Sequence, residues 1–360
     1  MKVRIFVGLF LSLLFIYLSF WKPQIAGLFS GLSVIEAFFG KTRIDVNELA
    51  LVLSEAHYQY LLVGIGLLML SLFPRAERWR VLLRPVHSGI RYWPVYSAMN
   101  IGYMINNILP LRAGEILRAY FLGKSENISK SSVLATIVVE RVFDLMAAMI
   151  VMSITLFFFP FPDWIRNGLF YIGGGLLALI LFLVGLLVNT EWTLNFLRKV
   201  LKPIPAKLSE KIVKIVGSFA SGLEVLRSSK AYWKIFGYTL ILQVSYVGSV
   251  YATLLAFDLV DPAYPAIQEN PLLASLVLLI IITVGVGIPS APGAVGTFHG
   301  IVAFGVGLFG VPLEKAMGMA IALHLANYIP LTALGLVCFW SQQFSFSEIK
   351  SQFPKGGQKG

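Results

Sequence analysis

The sequence predicts an all-α polytopic membrane protein with about six full spans plus two re-entrant helical hairpins in an inverted-repeat arrangement. Three observations predict it. Of the 360 residues, 57% are hydrophobic and 13% are charged, and the mean hydropathy is +0.79, whereas a soluble domain is about 25% charged. Apolar runs of spanning length alternate with stretches rich in Lys and Arg. Two breaks rich in Gly and Pro interrupt otherwise apolar segments. Eight complete spans are the alternative topology.

The first apolar run, Val3 to Trp21, is long enough to cross the bilayer, and no small-residue cleavage site follows it. We therefore expect a retained span and not a signal peptide. Residues 22–55 form a mixed amphipathic segment with few charges, which suits the outer side. Within this segment, Asp45 and Glu48 mark the start of a helix, because both can accept hydrogen bonds from free backbone N–H groups.

The next run, Tyr58 to Leu72, ends at Pro74 and is followed by five arginines between positions 75 and 91. Such a cluster belongs on the cytoplasmic side of the membrane. We expect Trp79, which lies among these arginines, to be an interfacial anchor. The later apolar runs are Val133–Phe159, Leu169–Val188, Ile235–Phe257, Leu272–Ile288, Gly300–Phe309 and Met317–Trp340.

The charged residues predict on which side of the membrane the remaining segments lie. Residues 191–234 carry nine Lys or Arg against three Glu, which predicts a basic cytoplasmic segment of amphipathic helices on the membrane surface. Residues 257–271 are acidic and contain no Lys or Arg, so we expect them outside. Residues 1–345 are then one transmembrane domain, residues 346–360 a polar cytoplasmic tail, and both termini are cytoplasmic in a plasma-membrane protein.

Each complete span moves the chain to the other side of the membrane, and this rule predicts the two hairpins. Tyr92 to Leu122 begins and ends on the cytoplasmic face, so it reads as two helices around a break at Asn107–Gly114. Leu272 to Val311 returns to the outside around a second break at Pro289–Gly296. Pro110 and Pro289 are 179 residues apart, about half of the chain. Each half of the chain thus contains a span, a hairpin and a second span, and the two halves have opposite orientations in the membrane. This is the pattern of transporters whose broken helices meet near the midplane.

The first break combines groups that suit an anion. A short helix beginning near Glu115 would point its free N–H groups at the break, and such a helix end favours phosphate. Arg112 offers a planar fork of donors, and Glu115 could hold Arg112 or Arg118 in place. Asn106 and Asn107 add neutral donors and acceptors. The alternative is that Arg112 and Arg118 are ordinary charges of the cytoplasmic face.

Charges also interrupt a long apolar run. Glu140 and Asp144 share a helix face, and Arg141 and Asp144 form an i, i+3 pair. Charges this deep in a membrane helix mark either a functional cavity or a structural network that locks the first hairpin in place. Near the second break, His299 is a proton-relay or ligand candidate, or one partner of a helix–helix hydrogen bond.

The predicted lipid-binding residues are therefore those of the two breaks and of the charged helix: Asn106, Asn107, Pro110, Arg112, Gly114, Glu115, Arg118, Glu140, Arg141, Asp144, Pro289, Pro292, Gly293, Gly296 and His299. We expect no catalytic residues, no metal and no cofactor, because no metal-ligand spacing, P-loop, nucleophile elbow or dinucleotide fingerprint occurs. The net charge of +11 reflects the positive-inside bias and anionic lipid, so we expect lipid partners and no nucleic acid.

Four short sequence motifs occur in this order along the chain: Arg78-Trp79 with Leu82-Leu83, Asn107-Ile-Leu-Pro110 with Arg112-x-Gly114-Glu115, Glu140-Arg141-x-x-Asp144, and Pro292-Gly293-x-x-Gly296. In these motifs the chain resembles the flippase-like membrane family that includes the transmembrane region of lysylphosphatidylglycerol synthases. The resemblance implies a polytopic lipid-handling protein. In synthase members such a region moves an aminoacylated phospholipid between leaflets, and a separate soluble domain attaches the amino acid.

The longest cytoplasmic stretch is too short to be that soluble domain, so we do not expect synthase activity. The leading hypothesis is a lipid translocase for an anionic, phosphate-bearing lipid. Two alternatives stay open. One is a membrane-embedded lipid or glycolipid transferase with Glu115, Glu140 or Asp144 as base, and the other is a non-transporting accessory subunit.

Overall fold

A computed structural model describes residues 32–109, 113–222, 229–287 and 290–342, together with positions 9–10, 12–15, 17–18, 21–24, 26 and 30. The predicted helical class is confirmed, since the described residues form helices joined by short loops. Most of the first predicted span and the whole 346–360 tail lie outside the described residues. From residue 32 onward the α-helices are α1 (Val34–Phe39), α2 (Val46–Glu55), α3 (Tyr58–Leu83), α4 (Tyr92–Ile108), α5 (Ala113–Ser125), α6 (Lys130–Phe158), α7 (Asp163–Val188), α8 (Thr190–Val200), α9 (Ala206–Gly222), α10 (Ser229–Ala256), α11 (Pro265–Gln268), α12 (Pro271–Gly285), α13 (Thr297–Gly307) and α14 (Leu313–Ser341).

Four of these helices are long and apolar enough to cross a membrane: Tyr58–Leu83, Asp163–Leu186, Ala231–Ala256 and Leu313–Ser341. They coincide with four of the predicted spans. The basic segment of residues 191–234 contains the amphipathic helices α8 and α9. Of these, α8 packs against α7 and α9 against α6.

The first elements follow the local signals of the sequence. The Asp45 carboxylate accepts hydrogen bonds from the backbone N–H groups of Asn47 and Glu48, at 2.8 and 3.3 Å, and so caps α2 as predicted. The apolar run that ends at Pro74 is only part of the next helix. Helix α3 continues through Pro74 to Leu83. Proline costs one backbone hydrogen bond, but packed neighbouring helices tolerate it inside a membrane helix.

Both predicted breaks separate two helices that pack against each other. At the first break, α4 and α5 approach closely at Gly102 and Gly114, where a Cβ on Gly114 would collide with the Gly102 carbonyl. At the second break, α12 and α13 are joined through a 3-10 turn, Pro292–Ala294. Gly293 has φ of +67°, a left-handed conformation that other residues adopt at a cost.

The two halves of the chain make corresponding contacts. Helices α3 and α10 pack against each other. Helix α14, the last helix of the second half, packs against α4 of the first hairpin, and α6, the corresponding helix of the first half, packs against α12 of the second hairpin. The helices correspond in pairs: α3 to α10, α4 to α12, α5 to α13 and α6 to α14. When each helix is replaced by its counterpart, the main helix–helix contacts of one half become those of the other half. Among the described residues, the buried apolar side chains form two hydrophobic cores, and each contains one hairpin.

Candidate functional site

A group of charged side chains joins three helices in the first half of the chain. Arg75 and Arg78 come from α3, Glu115 and Arg118 from α5, and Glu140, Arg141 and Asp144 from α6. We call these seven residues the arginine cluster. Arg78 and Glu140 have side chains with 0% exposure, so the centre of the cluster is closed to solvent.

Glu140 lies at the centre of the cluster. Its Oε2 accepts a hydrogen bond from Nη2 of Arg118 at 2.6 Å. Its Oε1 lies 3.4 Å from Nη2 of Arg78 and 3.5 Å from Nε of Arg75. Nη2 of Arg141 lies 3.6 Å from the same oxygen. One buried carboxylate thus holds four guanidinium groups and ties α3 and α5 to α6.

Asp144 is the second anionic centre. Its Oδ1 accepts from Nη2 of Arg78 at 2.6 Å, and its Oδ2 accepts from Nη2 of Arg75 at 3.2 Å. The predicted pair of Arg141 and Asp144 is confirmed at 3.1 Å. Glu140 and Asp144 also share a helix face as predicted, because both contact Nη2 of Arg78.

Neutral side chains complete the surroundings. Arg75 donates to the hydroxyl of Tyr246 at 2.5 Å, and Arg78 donates to the hydroxyl of Thr239 at 3.1 Å, both on α10. The prediction that Trp79 is an interfacial anchor is wrong. Its side chain is fully buried, its Nε1 donates to Thr136 at 3.0 Å, and the guanidinium of Arg118 lies 4.7 Å from its ring centroid.

The charges of the cluster do not balance, since four guanidinium groups face three carboxylates. Nε of Arg141 has no hydrogen-bond partner among the described residues, and the same holds for Nε of Arg78 and for Nε and Nη1 of Arg118 at the closed centre. The cluster opens on one side, because the side chains of Arg141 and Asp144 are 31% and 27% exposed. A net positive charge, spare donors and an open side are the features that bind an anion.

The predicted residues of the first break have structural partners. Asn106 Oδ1 accepts from the backbone N–H of Gly114 at 2.8 Å. Asn107 Nδ2 donates to the hydroxyl of Thr332 on α14 at 2.8 Å. Glu115 lies 3.8 Å from Arg141, whereas Arg118 pairs with Glu140. Pro110 and Arg112 lie outside the described residues.

At the second break, the backbone turn is held by two histidines. Nδ1 of His299 accepts from the Gly296 N–H at 3.2 Å, and Nε2 of His324 donates to the Gly293 carbonyl at 2.8 Å. The two imidazole centroids are 4.7 Å apart. His299 thus caps its own helix, α13, and His324 ties α14 to the 3-10 turn. Pro292 lies in the 3-10 turn, and Pro289 lies outside the described residues.

The two breaks touch each other, as the predicted meeting of broken helices requires. The 3-10 turn at Pro292–Ala294 packs against α4. A Cβ on Gly293 would lie 3.3 Å from the backbone oxygen of Asn107. The second break itself carries no charge, because residues 286–296 contain no Asp, Glu, Lys or Arg.

Sequence reasoning missed Arg75 and Arg78, which it assigned to the cytoplasmic surface. One signal could have found them. Residues three apart share a helix face, and Arg75 and Arg78 follow directly on an apolar run, so a helix through Pro74 carries both in one direction. Arg91, in contrast, is 72% exposed and pairs with Glu126 at 2.7 Å, like an ordinary surface charge.

Comparisons with known proteins identify relatives that are membrane proteins. The family model described as the lysylphosphatidylglycerol synthase transmembrane region matches residues 5–335. A UPF0104 membrane protein of Methanothermobacter thermautotrophicus is 23% identical over 311 residues, which cover 81% of this chain and 88% of that protein. One of Methanocaldococcus jannaschii is 24% identical over 311 residues, covering 82% of this chain and 88% of that protein. The glycosyltransferase AglD of Haloferax volcanii is 31% identical over 122 residues, which are 34% of this chain and 19% of that protein. No solved structure matches the chain.

Proposed function

Because this chain belongs to the family of the lysylphosphatidylglycerol synthase transmembrane region, we propose that it is a lipid translocase that carries an anionic, phosphate-bearing lipid between leaflets. The observation that carries this proposal is the arginine cluster, with its excess positive charge and its spare buried donors. Four arginines inside a membrane protein need a reason, since each costs roughly 2.5–3.5 kcal/mol at the centre of a span on insertion scales.

The depth of the cluster supports a role in crossing the membrane. Asp144 is the middle residue of α6, which runs from Lys130 to Phe158. If α6 spans the bilayer, the cluster lies near the midplane, about 20 Å from either end of the helix. A headgroup bound there has left one interface and has not reached the other. Guanidinium forks match the oxygens of a phosphate and replace its lost hydration.

The proposal includes the predicted topology. In it, α4–α5 and α12–α13 are re-entrant hairpins, six helices span the plasma membrane, and both termini are cytoplasmic. The exchangeable contacts of the two halves and the contact between the breaks support an inverted repeat, which in transporters places the binding site at the interface of the repeats. The substrate is a phospholipid or a polyprenyl-phosphate-linked glycan, which share the phosphate.

A transferase is the second candidate, and the similarity to the glycosyltransferase AglD favours it. That similarity covers a third of this chain. A transferase and a translocase of one glycolipid can share a membrane fold, but they differ in their product. Translocation leaves the lipid unchanged, whereas a transferase makes a new compound that chromatography separates. An accessory subunit would do neither.

The test uses purified protein in phosphatidylcholine liposomes that contain fluorescently labelled phosphatidylglycerol. Arg141→Lys keeps the charge and loses the fork at a partly exposed position, so the protein should fold and translocation should slow by about tenfold or more. Arg166→Lys is the matched control, because Arg166 is 52% exposed and pairs with Asp163 away from the cluster. Translocation at the wild-type rate by folded Arg141→Lys would refute the phosphate-binding role.

A further inference from the structure

A groove runs between α6 and α7, beyond the arginine cluster. One wall is α6 between Met149 and Phe157, and the other is α7 between Leu169 and Leu177. Its volume is about 370 Å³, which falls in the range of about 300–1,000 Å³ typical of small-molecule sites. Nothing in the described part of the chain fills it.

The chemistry of the groove suits an apolar ligand. Its lining is aliphatic, aromatic, methionine and glycine except for Ser153, and the Ser153 hydroxyl donates to the Met149 carbonyl at 2.9 Å. The hydroxyl proton of Ser153 is therefore already used within α6, and Ser153 carries the one polar side chain of the lining. Methionine side chains adapt their shape to flexible apolar partners.

Two consecutive glycines of α7 keep the groove open. A Cβ on Gly173 would meet Cε of Met152 at 2.8 Å, so the absence of a side chain lets α6 and α7 approach each other here. A Cβ on Gly174 would meet nothing within 4 Å, although Gly174 lines the groove. A larger residue at position 174 would occupy the space without a backbone clash.

The groove continues along the helix that carries the cluster. Its lining starts at Met149, five residues or about 7.5 Å beyond Asp144. Met152 follows Arg141 by 11 residues, which is three helical turns, so both side chains lie on one face of α6. From Met149 to Phe157 the groove extends for about 12 Å, close to the roughly 15 Å depth of hydrocarbon in one leaflet.

We propose that this groove binds one acyl chain of the lipid whose phosphate occupies the arginine cluster. The inference rests on the proposed function and adds where the tail lies during transport. A lipid tail is favoured over a helix of a second copy, because the groove lies directly beyond the arginine cluster on the same helix and its lining is almost wholly apolar. The cluster and the groove together then match one amphipathic molecule, with its phosphate at Arg141 and its tail toward Phe157.

The test compares two variants of one helix. Gly174→Leu fills the groove, whereas Gly175→Leu adds the same side chain at a neighbouring position that does not line the groove and meets nothing within 4 Å. Both changes raise helix propensity equally, so folding differences cancel. We expect phosphatidylglycerol translocation in liposomes to fall at least tenfold for Gly174→Leu and to stay within twofold of wild type for Gly175→Leu.

A binding measurement distinguishes failure of the groove proposal from failure of the proposed translocase function. Phosphatidylglycerol with a photoreactive diazirine in one acyl chain should crosslink preferentially to peptides that contain Met149–Phe157 or Leu169–Leu177, and Gly174→Leu should abolish this preference. If wild type moves no lipid, the proposed function fails, whatever the crosslinks show. If wild type moves lipid but both variants behave alike, or crosslinks spread evenly over the other apolar helix faces, the groove proposal is overturned. Chain-to-chain crosslinks at the groove, which a second copy would give, overturn it as well.

Discussion

Replacing Glu140 by glutamine should destabilise the fold strongly, although the side chain keeps its shape. The Glu140 carboxylate is fully buried and lies within 2.6–3.6 Å of four guanidinium groups. Glutamine removes the charge and turns one acceptor into a donor that faces other donors. The net charge of the seven-residue cluster then rises from +1 to +2. Removing one partner of a buried ion pair costs about 3–5 kcal/mol.

This loss can be measured through the single cysteine of the chain. Cys338 is 6% exposed, so a thiol-reactive dye reports unfolding when detergent-solubilised protein is heated. With an unfolding entropy of about 2.1 cal/mol/K per residue, 1 kcal/mol corresponds to about 1.3 °C for a chain of this length. Glu140→Gln should therefore melt about 4–7 °C below wild type.

Two further variants make the test specific. The double variant Glu140→Gln, Arg118→Met should melt above Glu140→Gln alone, because it restores the net charge of +1 and keeps an apolar side chain against Trp79. Asp163→Asn removes an 82% exposed partner of an ion pair and should cost at most about 1 kcal/mol. If Glu140→Gln melts within 1 °C of wild type, or the double variant melts below it, the charge argument is wrong.

Two other predictions concern topology and packing. In a cysteine-free background, cysteines at the exposed positions Ser131 and Ala263 should react with impermeant reagents from opposite sides, the first from the cytoplasm; labelling from one side would contradict the span assignment. Gly335→Ala should destabilise the protein by about 1–3 kcal/mol, because its Cβ would collide with Met104 and with backbone of α4, whereas Gly66→Ala faces open space and should be neutral or stabilising by up to about 1 kcal/mol. Equal melting temperatures for the two alanine variants would show that α14 and α4 are less tightly packed.

Composition and charge periodicity predicted the helical class, because lipid leaves the backbone few alternatives. They also predicted short-range features such as the cap at Asp45 and the pair of Arg141 and Asp144, since these depend on residues within one helical turn. Both breaks were found because Gly and Pro interrupt the apolar runs.

Long-range partners could not be predicted in this way. Arg75 and Arg78 meet carboxylates 62–69 residues later in the chain, and no local pattern pairs them. The positive-inside bias identifies the side of the membrane where arginines lie, but it does not say which of them turn inward. Trp79 was misplaced for the same reason, since its burial follows from the continuation of α3 through Pro74.

The packing of α14 against α4 has a consequence for how the protein is made. About 200 residues separate Ile108, at the end of α4, from Leu313, at the start of α14. At about 5–20 residues per second, a ribosome needs roughly 10–40 s to synthesise that interval. Throughout it, the amide of Asn107 has yet to meet Thr332, and the tight surface of the first hairpin has no helix over it. During synthesis, the first hairpin therefore waits for this interval before its closing helix exists.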